Sequence, residues 1–217
     1  MKNQLIIGNK NYSSWSLRPW LLMQVKDIPF TEEKIYLYCD GSSNLIRQHS
    51  PAGKVPVLEN SEVKVWDSLA ICEYLAEAYP EKYCWPQDMQ ARALARSIAA
   101  EMHSGFFFIR EKLPMNCRQS MRYAVKDDAL QSEINRINSI WQDCRLHYQD
   151  QGEFLFGDFS IADAMYAPVV LRFNSYGIEV GSVAKAYMRN ILALKPMQQW
   201  IQAGQAESAV IRQAEII

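Results

Sequence analysis

The change in hydrophobic period near residue 80 constrains this chain more than any other feature. Before it, short runs of strand length alternate with helical ones. Leu5-Ile6-Ile7 reads as a buried strand ended by Gly8, and Trp20 to Val25 as the body of a helix that follows a loop at Asn9 to Tyr12. Glu33 to Leu37 alternates like a second strand, Val55 to Glu59 and Glu62 to Trp66 form a hairpin around Asn60-Ser61, and Ser68 to Ala78 is helical. The order is β-α-β, room for a short helix, then β-β-α, which closes into one four-stranded sheet with helices on its faces. After Tyr79-Pro80-Glu81 every periodic segment is helical: Met89 to Leu113, Asp127 to Tyr148, Ile161 to Phe173, Val183 to Leu194, and a short one near Trp200. The expected division is an α/β domain over 1–80, an exposed proline-marked connection over 81–87, and an all-α domain over 88–217.

Composition narrows the function classes. Of 217 residues, 49% are apolar and 22% charged, so the chain is globular, and a formal net charge of −1 with scattered Lys and Arg gives no long-range pull on nucleic acid or anionic membrane. The five cysteines (Cys39, Cys72, Cys84, Cys117, Cys144) are odd in number and hold no C-x-x-C pair, which points to a reducing compartment rather than a disulfide framework or zinc ribbon. The first apolar run is too short for a signal-peptide core, and the expectation is a cytoplasmic protein. His49, His103 and His147 have no companions at ligand spacing, and His103 and Ser104 point to different faces of a helix, so neither a metal site nor a nucleophile-base pair is expected.

Two helical stripes differ in kind. Ile134, Ile137, Trp141, Cys144 and Tyr148 make a single core-facing stripe, so Cys144 reads as core. Ala95, Ile98, Met102, Phe106, Ile109 and Leu113 make another, but Phe107 and Phe108 carry apolar surface round that helix, which then packs on several sides, a subunit interface among them.

Chemistry concentrates in three segments. In Tyr12-Ser13-Ser14-Trp15-Ser16-Leu17-Arg18-Pro19, the proline belongs in a first turn, so the helix should not begin much before Ser16 and both Ser13 and Ser14 lie ahead of its N-terminus. Hydroxyls there, with free N–H groups and the positive helix end, favour an anion such as a thiolate; the competing reading is a plain N-cap. In Ser50-Pro51-Ala52-Gly53-Lys54-Val55-Pro56, the second proline enters a strand and must sit at its start or follow a cis peptide. Asp67-Ser68 opens a helix, where Ser68 can hold a ligand carboxylate and Asp67 an ammonium, or Asp67 simply caps. Farther on, Ser160-Ile161-Ala162-Asp163 reads as a capping box with a structural role.

Taken together, these segments resemble the glutathione S-transferase family over the whole chain, most closely its zeta-like and bacterial members. The resemblance implies a thioredoxin-like N-terminal domain followed by an all-helical domain of the family type, with the Ser160 to Asp163 motif supporting the fold. It makes Ser13 the catalytic residue, hydrogen-bonded to the glutathione sulfur, with Ser14 beside it. It puts the backbone of Val55, before Pro56, on the cysteinyl unit, Lys54 on the glycine carboxylate, and Asp67 with Ser68 on the γ-glutamyl end. Trp15 stands where the zeta pattern has Cys, and Trp15, Met102, His103, Phe106 and Arg110 fall where the family's acceptor site lies, His103, Phe107 and Arg110 sharing one helix face. The implied protein is a homodimeric transferase active in detoxification, with glutathione as cosubstrate, no metal, and a small electrophile as partner. A glutathione-dependent isomerase of the maleylacetoacetate isomerase type, and a non-catalytic protein-binding member, are the alternatives.

Overall fold

The computed structural model describes residues 2–216. Its sheet runs β2-β1-β3-β4, from β1 (Asn3–Ile7), β2 (Phe30–Lys34), β3 (Val57–Glu59) and β4 (Lys64–Trp66). β1 and β2 pair in parallel, with Asn3 opposite Phe30 and Ile7 opposite Lys34, while β3 is antiparallel to both β1 and β4. Alternation alone put the second strand at Glu33 to Leu37. The register with β1 moves it three residues earlier, because a strand lies where its ladder partner is, not only where its own side chains alternate. Asn60 shapes the β3–β4 turn, its side-chain oxygen accepting from the N–H groups of Glu62 and Val63.

The helices of this half are α1 (Ser14–Val25), α2 (Ser42–His49) and α3 (Ser68–Ala78). α1 begins two residues before the expected start, and Pro19 sits in its second turn. Packing against α3 on one side and the helical half on the other buries nearly every α1 residue from Ser14 to Met23, which holds the helix together across the one lost hydrogen bond.

The rest is helical, as its period dictates: α4 (Met89–Ser104), α5 (Phe107–Lys112), α6 (Asp128–Tyr148), α7 (Ile161–Ser175), α8 (Ser182–Ala193) and α9 (Lys195–Gln205). α7 runs through the middle, packed on α1, α4 and α8, and all of Ile161 to Phe173 is buried. Asp163 locks its start: one carboxylate oxygen accepts from the N–H and hydroxyl of Ser160, the other from the N–H of Leu155. Cys144 is buried among apolar side chains, and its thiol is pushed up to about 12 by burial.

Two expectations fail here. The stretch 81–87 is not a free connection: Cys84 and Trp85 are buried, the Cys84 carbonyl accepts from the N–H of Ile161, and the Trp85 indole donates to Glu73. The single helix from Met89 to Leu113 is two, broken at Gly105-Phe106, where Phe106 takes φ +59°. Groups from elsewhere cap both ends of the break. Arg110 donates to the carbonyls of Met102 and Gly105, and Glu133 of α6 accepts the N–H of Ile109.

Candidate functional site

A cleft of about 740 Å³ opens where the C-terminal end of β1 and the N-terminal end of β3 meet the N-termini of α1 and α3. It is lined from the sheet side by Ser13, Ser14, Trp15, Lys54, Val55, Pro56, Asp67 and Ser68, and from α4 by His103. Nine of the twelve candidate site residues therefore share one cavity. Met102 and Phe106 do not reach it. Both are buried in the apolar core: Met102 continues the buried face of α4 with Ala95, Ile98 and Ala99, and Phe106 is buried at the left-handed turn that breaks the helix. Arg110 lies behind the wall, and Phe107, expected on its face, is 68% exposed on the outside.

Ser13 occupies the N-cap position of α1, yet its side chain caps no backbone N–H. Its hydroxyl lies 2.7 Å from that of Ser16, whose oxygen accepts the N–H of Gly8 at 3.1 Å. The plain N-cap reading of Ser13 thus has no hydrogen bond to support it. Ser14, equally buried, accepts from the Arg172 guanidinium of α7 at 3.1 Å.

The Val55–Pro56 peptide is cis and lies just ahead of β3. Lys54 is exposed at the rim, its N–H held by the Ser50 hydroxyl. Asp67 does cap α3: one oxygen accepts from the N–H groups of Leu69 and Ala70. Its φ of +77° is strained for a residue other than glycine. The other oxygen is 3.1 Å from His103 Nε2, so Asp67 spans from the α/β half to α4. Burial lowers the His103 pKa against the pull of Asp67. Ser68 is buried and accepts from Arg18 at 3.4 Å.

Trp15 sits between two cations, with the guanidinium carbons of Arg18 and Arg110 at 4.3 and 4.5 Å from its ring and His103 edge-on at 5.4 Å. The indole, on α1, meets α4 at His103 and α5 at Arg110. Trp15 and His103 both line the cleft, while Arg110 stacks on the indole from outside it.

Sequence reasoning missed the opposite wall. Ile211, Gln213 and Ala214 line the cleft from a C-terminal strap that leaves α9 and crosses back over the β1–α1 loop. The strap is tied down by charge. Buried Glu207 accepts from the N–H groups of Lys10 and Asn11 and pairs with Lys34, and Glu215 meets Arg118, Asn116 and the Tyr12 hydroxyl. No local period marks such a segment, because its conformation depends on partners more than 90 residues away. Arg18 and Arg172 carried a signal that went unread: each is a charge inside an otherwise apolar helical run.

Residues 12–78 match the family model described as Glutathione S-transferase, N-terminal domain. The chain is 28% identical over 173 residues to the maleylacetoacetate isomerase of Rattus norvegicus, covering 77% of each chain. It is 25% identical over 183 residues to the probable maleylacetoacetate isomerase of Vibrio cholerae, covering 77% of this chain and 80% of that one. Among solved structures, a glutathione transferase homologue from Burkholderia gl BGR1 with bound glutathione has the same fold, with TM-score 0.72 at 23% identity over 94% of this chain and 99% of that one.

Proposed function

We infer, for a chain that belongs to the glutathione S-transferase family, a transferase that binds glutathione in the cleft described above and activates its thiol for attack on a small electrophile. The observation that carries this reading is the convergence on one cavity of Ser13 and Ser14, the Val55–Pro56 peptide, and the Asp67-Ser68 pair. A free thiol has a pKa of about 8.5, and lowering it by roughly two units needs about 2.7 kcal/mol of preferential binding of the anion. A hydroxyl donor at the N-terminus of α1 and the buried guanidiniums behind it supply stabilisation of that sign. Ser13 donates to the sulfur. Ser68 and Asp67 hold the γ-glutamyl carboxylate and ammonium, Val55 pairs with the cysteinyl unit, and Lys54 meets the glycine carboxylate.

In this reading the glutathione-binding part is 1–80, and 88–217 contributes the acceptor side through His103 and the strap. The acceptor lies against Trp15, Ile211 and Gln213, and the reaction takes place in the cytoplasm as detoxification, without a metal. Isomerisation is the second reading, favoured by the names of the relatives: the same thiolate adds to a cis double bond, the bond rotates, and glutathione leaves unchanged. A panel of aryl halides, epoxides and one isomerisable cis-enone, each assayed with and without glutathione, separates the two. Product without glutathione consumption identifies the isomerase, and no glutathione-dependent product on any electrophile overturns both.

The working unit in this reading is a homodimer. α4 and α5 expose Met89, Leu94, Phe107 and Phe108, with Trp66 exposed on β4, apolar side chains that a second subunit would cover. Sedimentation at micromolar concentration is expected to give twice the protomer mass of 25.0 kDa, and the protomer mass itself would count against it.

A further inference from the structure

Arg172 stands in the last turn of α7, between Leu171 and Phe173, both buried. Its guanidinium is itself buried, and among the described residues no carboxylate pairs with it. One terminal nitrogen donates to the carbonyls of Leu113 and Arg110, and the other to the hydroxyl of Ser14. The charges around it are of like sign: Arg110 on α5 and Arg18 on α1, with Tyr176 neutral at the end of α7 and His103 beyond Arg110 on α4. Burial first, then Arg110, push its pKa down to about 9. A buried cation without a counter-charge is costly, and an apolar side chain of similar volume would serve the core better. Among the described residues, the side chain that accepts a hydrogen bond from this cation is Ser14, which lines the cleft.

We propose that Arg172 is a positioning residue for the bound thiolate, acting through Ser14 from the other half of the molecule. A guanidinium has no acceptor atom, so Ser14 can only accept from it, and the hydroxyl proton is left to be donated elsewhere. The cleft is where Ser14 meets solvent-accessible space. A thiolate there takes the Ser14 proton as a hydrogen bond and supplies the negative charge that Arg172 otherwise lacks. Two hydroxyls thus serve the sulfur by different means: Ser13 backed by Ser16 and the Gly8 amide, Ser14 backed by a full charge.

The inference rests on the cleft being the glutathione site, and the experiment separates the two. Glutathione affinity by calorimetry and bound-thiol ionisation by thiolate absorbance are measured for the wild-type chain, Arg172→Gln, Arg172→Lys and Ser14→Ala. Near-ultraviolet circular dichroism reports folding. Arg172→Gln is expected to raise the bound thiol's pKa by about one unit, which lowers the conjugation rate about fivefold near pH 6.5, approaches about tenfold at lower pH, and lets it converge on wild type near pH 9. Glutathione affinity stays within about threefold, and Arg172→Lys recovers part of the shift because the charge remains. A merely structural arginine would lower the rate equally at every pH. Ser14→Ala should reproduce the shift, and the double variant should add nothing to it. If Arg172→Gln fails to fold, Ser14→Ala carries the test: a titration identical to wild type overturns the proposal. Wild type binding glutathione with its thiol lowered, while a folded Arg172→Gln titrates the same, overturns this inference alone. A wild-type chain that binds no glutathione overturns the functional reading and this with it.

Discussion

Ser13→Ala is expected to slow glutathione conjugation by about ten- to a thousandfold, corresponding to a loss of roughly 1.4 to 4 kcal/mol of anion stabilisation. The structure gives the reason a single hydroxyl should matter this much. Ser13 is buried at the head of α1 and is not spent on a backbone cap; it is hydrogen-bonded to Ser16, which is itself fixed by the Gly8 amide. The Ser13 hydroxyl donates to Ser16 here; when a thiolate enters, Ser13 turns its proton to the sulfur and accepts from the Ser16 hydroxyl in exchange, its oxygen staying in place. Ionisation of bound glutathione should shift upward, so the rate deficit is greatest at low pH and closes as the solution itself deprotonates the thiol. Affinity for glutathione should change far less, because the peptide's ends are held elsewhere. Ser13→Cys should divert the enzyme toward mixed-disulfide exchange, since a thiol at a helix N-terminus is itself activated. Thiolate absorbance of the complex decides the matter. A change only in Ser14→Ala moves the donor role to Ser14, and a change in neither variant ends the hydroxyl mechanism.

Replacing both Asp67 and Ser68 by Ala should weaken glutathione binding by about 2 to 5 kcal/mol, as two charge-assisted contacts are lost. That is roughly thirty- to several-thousandfold in the dissociation constant. Both side chains are held before any ligand arrives, Asp67 by the α3 amides and His103, Ser68 by Arg18. The binding energy is therefore not consumed in ordering them. Because Asp67 also caps α3, the double variant should lose about 1 kcal/mol of folding stability as well. Asp67→Asn keeps an oxygen for the cap and removes the charge, so it separates the two effects. Calorimetry showing undiminished affinity in the folded double variant would take the γ-glutamyl assignment away from this pair.

What the sequence by itself determined is local in origin. The change of period near residue 80, the Asn60 turn, the Asp67 cap and the Ser160 to Asp163 box each depend on residues within a few positions of one another, and each is present in the structure. The serine segment, Val55–Pro56 and Asp67-Ser68 were legible as a site for the same reason: each lies at the end of a strand or the start of a helix, and the sheet order brings those ends together. Tertiary structure decided what local pattern does not encode. The apolar stripe through Met102 and Phe106 said that one side of a helix is buried, but not that the helix breaks between them and that Arg110 and Glu133 cap the break. β2 took its position from β1, not from its own alternation. The Arg172–Ser14 hydrogen bond joins residues 158 apart, and the strap at Ile211 to Ala214 is held at Glu215 by Asn116, 99 residues away; only packing sets such partners. Periodicity states which face of an element avoids water; which groups meet that face depends on shape and charge matched across the whole chain.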